Sequence, residues 1–174
     1  MGLVDTTHRD HPQTVAEMLR AADDRHLEAV VLHESDWPEG AIYLLGYVAE
    51  MHLKSAYARL VFGRRAVVAE WAEIVDQAKR DRCWAVLAAS ARDDGLHSLT
   101  LWKQLLLDAR ASDEALPSLA DSARRELDDL VDWMDQNWCV DMRYAAGFAS
   151  RTEAEMMLRH VERLAQLYWA LVGE

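Results

Sequence analysis

Hydrophobic residues recur along this chain at three- and four-residue steps, which predicts helices over most of its length. Val15, Met18, Leu19, Ala22, His26, Leu27, Val30 and Val31 mark a first helix, with Thr14 as N-cap and Glu17 completing a capping box. Asp36-Trp37-Pro38-Glu39-Gly40 breaks it. A second helix, from about Glu39 to Phe62, carries Ile42, Leu45, Gly46, Ala49, Leu53, Ala56 and Leu60 on one stripe and Tyr43, Tyr47, Glu50, Lys54 and Tyr57 on another. A helix that is apolar all round must be covered all round. It is therefore either the centre of the domain or part of a dimer interface close to a two-fold axis, with Gly63 as its terminator.

A third helix is expected from Arg65 into Ala91, buried at Val68, Trp71, Ala72, Val75, Ala78, Trp84, Leu87 and Ala88. Lys79-Arg80-Asp81-Arg82 reads as a kink or a solvated face, and Asp93-Asp94-Gly95 as the stop. A fourth helix covers roughly Ser98 to Arg110, and Pro117 is placed to open a fifth that carries Leu119, Ala123, Leu127, Leu130, Val131 and Met134. Ser150 and Glu153 form a second capping box ahead of a last helix with Met157, Val161, Leu164, Tyr168 and Leu171 inside. The expected architecture is all-α: a loose leader over 1–12, then one domain over 13–174. That domain is an up-and-down bundle of about five core helices plus an inserted helix.

Composition supports this reading. Hydrophobic residues are 51% of 174, and seven Gly and three Pro leave little turn chemistry for a β fold. The net charge of −11 repels phosphate backbones and anionic headgroups from the surface as a whole, so DNA binding and membrane association are not expected. The N-terminus is polar, without the look of a signal peptide, and no apolar run reaches the ~18 residues of a membrane span. Cys83 and Cys139 are far apart, the pattern of thiols in a reducing, cytoplasmic setting.

Candidate chemistry is sparse. No H-E-x-x-H, P-loop, G-x-G-x-x-G or G-x-S-x-G occurs, so neither a metal nor a cofactor is predicted. His8 and His11 read as a solvated tail, and His33, His52 and His160 as packed or surface residues. Glu50 and Lys54 stand at i, i+4 in the favourable order for a helical ion pair. On the most buried helix they either bridge helices or subunits, or face a ligand. Arg92 and His97 fit R-x-x-x-x-H, chemically suited to RNA cleavage, with His as acid or base and Arg on the phosphorane. A pair at one such spacing is near chance expectation in a chain this rich in Arg.

Three segments together resemble the HEPN superfamily of helical domains. Ala41, Tyr43, Leu44, Gly46, Glu50, Leu53 and Lys54 match the spacing of its central helix. His97-Ser98-Leu99 with Leu105-Leu106 resembles a later helix start, and Trp138 through Arg143-Tyr144 its closing W…RY segment. The sequence departs from the pattern in a longer stretch over 64–95 and in Ala145, where a Pro is common. The resemblance implies a homodimeric bundle that binds or regulates without catalysis. Tyr47, Glu50, Lys54, Arg143 and Tyr144 would face a nucleotide-like ligand, with a small nucleotidyltransferase as a possible toxin–antitoxin partner. The alternative it implies is a metal-independent ribonuclease using Arg92 and His97, the one reading under which RNA is a partner.

Overall fold

The computed structural model describes residues 14–81, 96–144 and 147–173, with Arg143 and Tyr144 described by their backbone alone. Among these residues there are six α-helices and no strand, only an isolated bridge between Thr14 and Glu70. Helix α1 (Val15–Glu34) starts at the expected capping box: Thr14 Oγ1 accepts from the Glu17 amide at 3.3 Å, and the Glu17 carboxylate accepts from the Thr14 amide at 3.1 Å. Asp36 takes a positive φ of 62°, the chain reverses, and Pro38 occupies the first turn of α2 (Pro38–Phe62), where its missing N–H is harmless. Gly63 closes α2 at φ 56°.

Helix α2 is the axis of the molecule. It packs against α1, α4 (Leu99–Ser112) and α6 (Arg151–Val172), while α5 (Asp121–Asn137) packs on α4 and α6. The all-round apolar pattern of α2 is thus met by three helices of its own chain. Gly46 lies under the Trp138 indole, where an added Cβ would fall 2.1 Å from the ring, and Trp138 Nε1 donates to the Tyr43 carbonyl at 3.1 Å. None of the described helices is long and apolar enough to cross a membrane.

Several boundaries and burials differ from expectation. The helix foreseen from Arg65 begins only at Trp71: Gly63–Val68 is a 3-10 turn, and α3 (Trp71–Arg80) starts from a capping box of Glu70 with Glu73. Val68 is exposed as a result, and Ile74 rather than Ala72 is buried on α3. Helix α3 stops before Asp81, whose carboxylate accepts from the Tyr57 hydroxyl at 2.6 Å; the rest of that predicted helix lies outside the described residues. Pro117 does not open the fifth helix: its carbonyl accepts from buried Arg110 at 3.0 Å, and α5 begins four residues later at Asp121. Leu27 and Val31, expected inside, face outward.

A cleft of about 320 Å³ separates α1, α2 and α6, lined by Asp23, His26, His52 and Glu162 around apolar walls. His26 Nε2 and His52 Nδ1 are buried there without a hydrogen-bond partner among the described residues. Burial lowers the His52 pKa from 6.5; Asp23 opposes that shift and His26 reinforces it. The unfolded chain therefore binds this proton more readily than the folded one.

Two expectations follow from this packing. Gly46→Ala drives a methyl into Trp138 and should destabilise by about 1–3 kcal/mol, read as a lower urea midpoint with an unchanged slope. Stability from His52 is full above its ordinary value of 6.5 and falls as pH drops below it, until the folded pKa is passed. His52→Gln should flatten that part of the wild-type stability profile, just below pH 6.5.

Candidate functional site

The i, i+4 spacing on α2 places Glu50 and Lys54 on one face, and their side chains pair directly. Both are interior, at 4% and 5% exposure, so each offsets part of the charge-burial penalty of the other. The Lys54 ammonium also stands over two indoles, 4.3 Å from the Trp71 centroid and 5.1 Å from that of Trp102. These faces supply the negative π density a desolvated ammonium requires.

Glu50 uses its two oxygens differently. Oε1 takes Lys54, and Oε2 lies 3.0 Å from His97 Nδ1. A carboxylate only accepts, so His97 donates through Nδ1–H, which puts the lone pair of the neutral ring on Nε2. The His97 side chain is 38% exposed, so the cluster runs from the interior at Lys54 to the surface at His97. Tyr47 packs edge-on against His97 at 6.1 Å and against Trp138 at 5.3 Å, and its hydroxyl is 3.1 Å from that of Tyr43.

His97 is held at a fixed place because the start of α4 is secured twice. Ser98 Oγ accepts from the Leu101 amide at 3.2 Å, and Asp135 of α5 accepts from the amides of Leu99 and Thr100 at 3.1 and 3.3 Å. The Trp102 indole donates back to the Leu96 carbonyl at 2.9 Å. The amides of Leu99, Thr100 and Leu101 are the unpaired donors that a helix start exposes.

Compared with protein-family models, with curated proteins and with solved structures, the chain matches none of them. The site therefore stands on its own geometry.

Of the residues singled out in the sequence, Tyr47, Glu50, Lys54 and His97 come together in one cluster. Arg92 lies outside the described residues, as does Cys83. Arg143 and Tyr144 belong to a 3-10 turn, Val140–Tyr144, that packs against α2. Trp71 reads in the sequence as a plain core position, and no local pattern couples His97 to Glu50. A contact across 47 positions leaves no periodic trace. Among the described residues there is no group of three or more His, Cys, Asp or Glu able to hold a metal ion.

A double-mutant cycle tests the buried pair. Glu50→Gln or Lys54→Met alone removes one member of the buried ion pair and should destabilise by about 3–5 kcal/mol. The double variant should lose less than the sum in equilibrium urea unfolding. Additive losses would show that the two charges do not interact.

Proposed function

We propose that the chain is a HEPN-like helical domain that binds and regulates as a cytoplasmic homodimer, without catalysis of its own. A nucleotide-like ligand and a small nucleotidyltransferase are its proposed partners. The observation that carries this reading is the double use of Glu50, which holds Lys54 inside and His97 at the surface. Lys54, the cation of this cluster, is thereby committed to a carboxylate and two indoles instead of an anionic transition state. The cluster offers recognition chemistry: a part-exposed imidazole oriented by Glu50, beside the part-buried, linked hydroxyls of Tyr43 and Tyr47. Such groups suit the hydrogen-bonding edge and flat face of a heterocycle. Arg143 and Tyr144, on the turn packed against α2, complete the ligand set in this reading.

One observation favours the ribonuclease alternative: a carboxylate orienting a histidine is also how a general base is held. In that case Arg92 would supply the cation that Lys54 cannot.

Titration calorimetry with ATP and with a nucleoside monophosphate separates the two. Under the binding reading at least one nucleotide binds, His97→Ala and Tyr47→Ala weaken it by about tenfold or more (~1.4 kcal/mol), and a mixed-sequence RNA stays intact. RNA cleavage by the wild type that both Arg92→Ala and His97→Ala abolish, with each variant folded, would establish the alternative. Sedimentation at high micromolar concentration tests the dimer, and a monomer there would remove that part of the proposal.

A further inference from the structure

The outward face of α1 is unusual for a helix in a small bundle. Its exposed stripe runs Arg20, Asp24, Leu27, Glu28, Val31 and Glu34 at three- and four-residue steps. Leu27 is 65% exposed and Val31 59%, one turn apart on the same line. Trp37, 66% exposed, follows at the reversal beyond the end of α1. Isolated exposed apolar residues are ordinary, but Leu27 and Val31 stand together on one helical line, and exposed Trp37 follows three residues past the helix end.

Charge decides what fits there. Along that stripe Asp24, Glu28 and Glu34 stand against one base, Arg20; Arg25 beside it pairs with Glu28 at 2.8 Å, and Asp36 follows at the reversal. Asp36 remains 78% exposed with Arg151 at 3.7 Å. A second copy of this chain is a poor occupant. A parallel two-fold sets Asp24 against Asp24 and Glu34 against Glu34, and an antiparallel one centred on Leu27 and Val31 sets Asp24 against Glu34. Like charges across an interface disfavour a partner. Anionic lipid is repelled for the same reason.

We propose that the outer face of α1 docks a basic amphipathic helix of another protein. Its apolar line rests on Leu27, Val31 and Trp37, and its Lys or Arg residues meet Asp24, Glu34 and Asp36. This surface is separate from the His97 cluster and does not depend on the ligand proposed for it.

Fluorescence anisotropy on the full chain tests the proposal with a labelled helical peptide carrying Leu at i and i+4 flanked by Lys. An otherwise identical peptide with Glu in place of Lys is the control. The basic peptide should bind and the acidic one should not. Leu27→Ser/Val31→Ser and Asp24→Asn/Glu34→Gln should each weaken binding by about tenfold or more, with helical circular dichroism unchanged because all four side chains are on the surface. Absence of binding overturns the proposal. So does equal binding by the Leu27→Ser/Val31→Ser variant, which would mean adsorption by charge alone. A wild-type dimer that the same variant converts to monomer would assign the face to a second copy and overturn it as well.

Discussion

Enclosure of α2 by α1, α4 and α6 governs what its polar residues can do. A carboxylate on such a helix has no bulk water to fall back on, and an isolated charge there would cost several kcal/mol. Glu50 and Lys54 satisfy this by pairing, and each then needs further partners for its remaining lone pairs or protons. Lys54 finds Trp71 and Trp102, which come from α3 and α4; Glu50 finds His97, just ahead of α4. The pair therefore does more than neutralise itself. It fixes where α3 and the start of α4 must lie relative to α2.

The same logic recurs where other charges are buried. Lys103 on α4 sits between Asp128 and Asp132 of α5, at 3.0 and 2.7 Å. Burial works against its ammonium, yet the two hydrogen-bonded carboxylates outweigh that and hold its pKa above the ordinary lysine value. Arg110, at the end of α4, donates to the Leu171 carbonyl of α6 at 2.7 Å and to that of Pro117 at 3.0 Å. Interior cations thus tie α4 to its neighbours, and apolar packing fills the space between them.

Local signals in the sequence were reliable wherever the cause was local. Thr14 with Glu17 and Ser150 with Glu153 cap the helices they precede, since a capping box is closed within four residues. The burial of α2 could be read because a pattern without a polar face has a single solution. Errors arose where a contact beyond the reach of a local pattern intervened. Pro117 has the right chemistry for a helix start, but Arg110 takes its carbonyl and the helix waits until Asp121. Lys79-Arg80-Asp81-Arg82 reads as a kink or a solvated face within one helix, whereas α3 ends at Arg80, beside the Tyr57–Asp81 contact that spans 24 positions. At the site, Glu50 and Lys54 were legible as a pair from their spacing. His97 was legible as the histidine of R-x-x-x-x-H and as a residue at a helix start, and not as a partner of Glu50.

Charge inside and charge outside obey different rules in this molecule. Inside, each cation described above meets a carboxylate, a carbonyl or an indole, because the low-dielectric interior makes an unmatched charge costly. Outside, the excess of acid over base that gives −11 is tolerated, since water screens surface charges within about a Debye length, ~8 Å at physiological salt. That tolerance ends where surface charge borders exposed apolar groups, because a partner that covers the apolar groups also strips water from the acids beside them. Leu27 and Val31 are in that position, with Asp24 and Glu34 one turn to either side. The acids select against any occupant unable to supply cations, while the apolar residues select against any purely polar one. Specificity at this face therefore comes from satisfying both demands together.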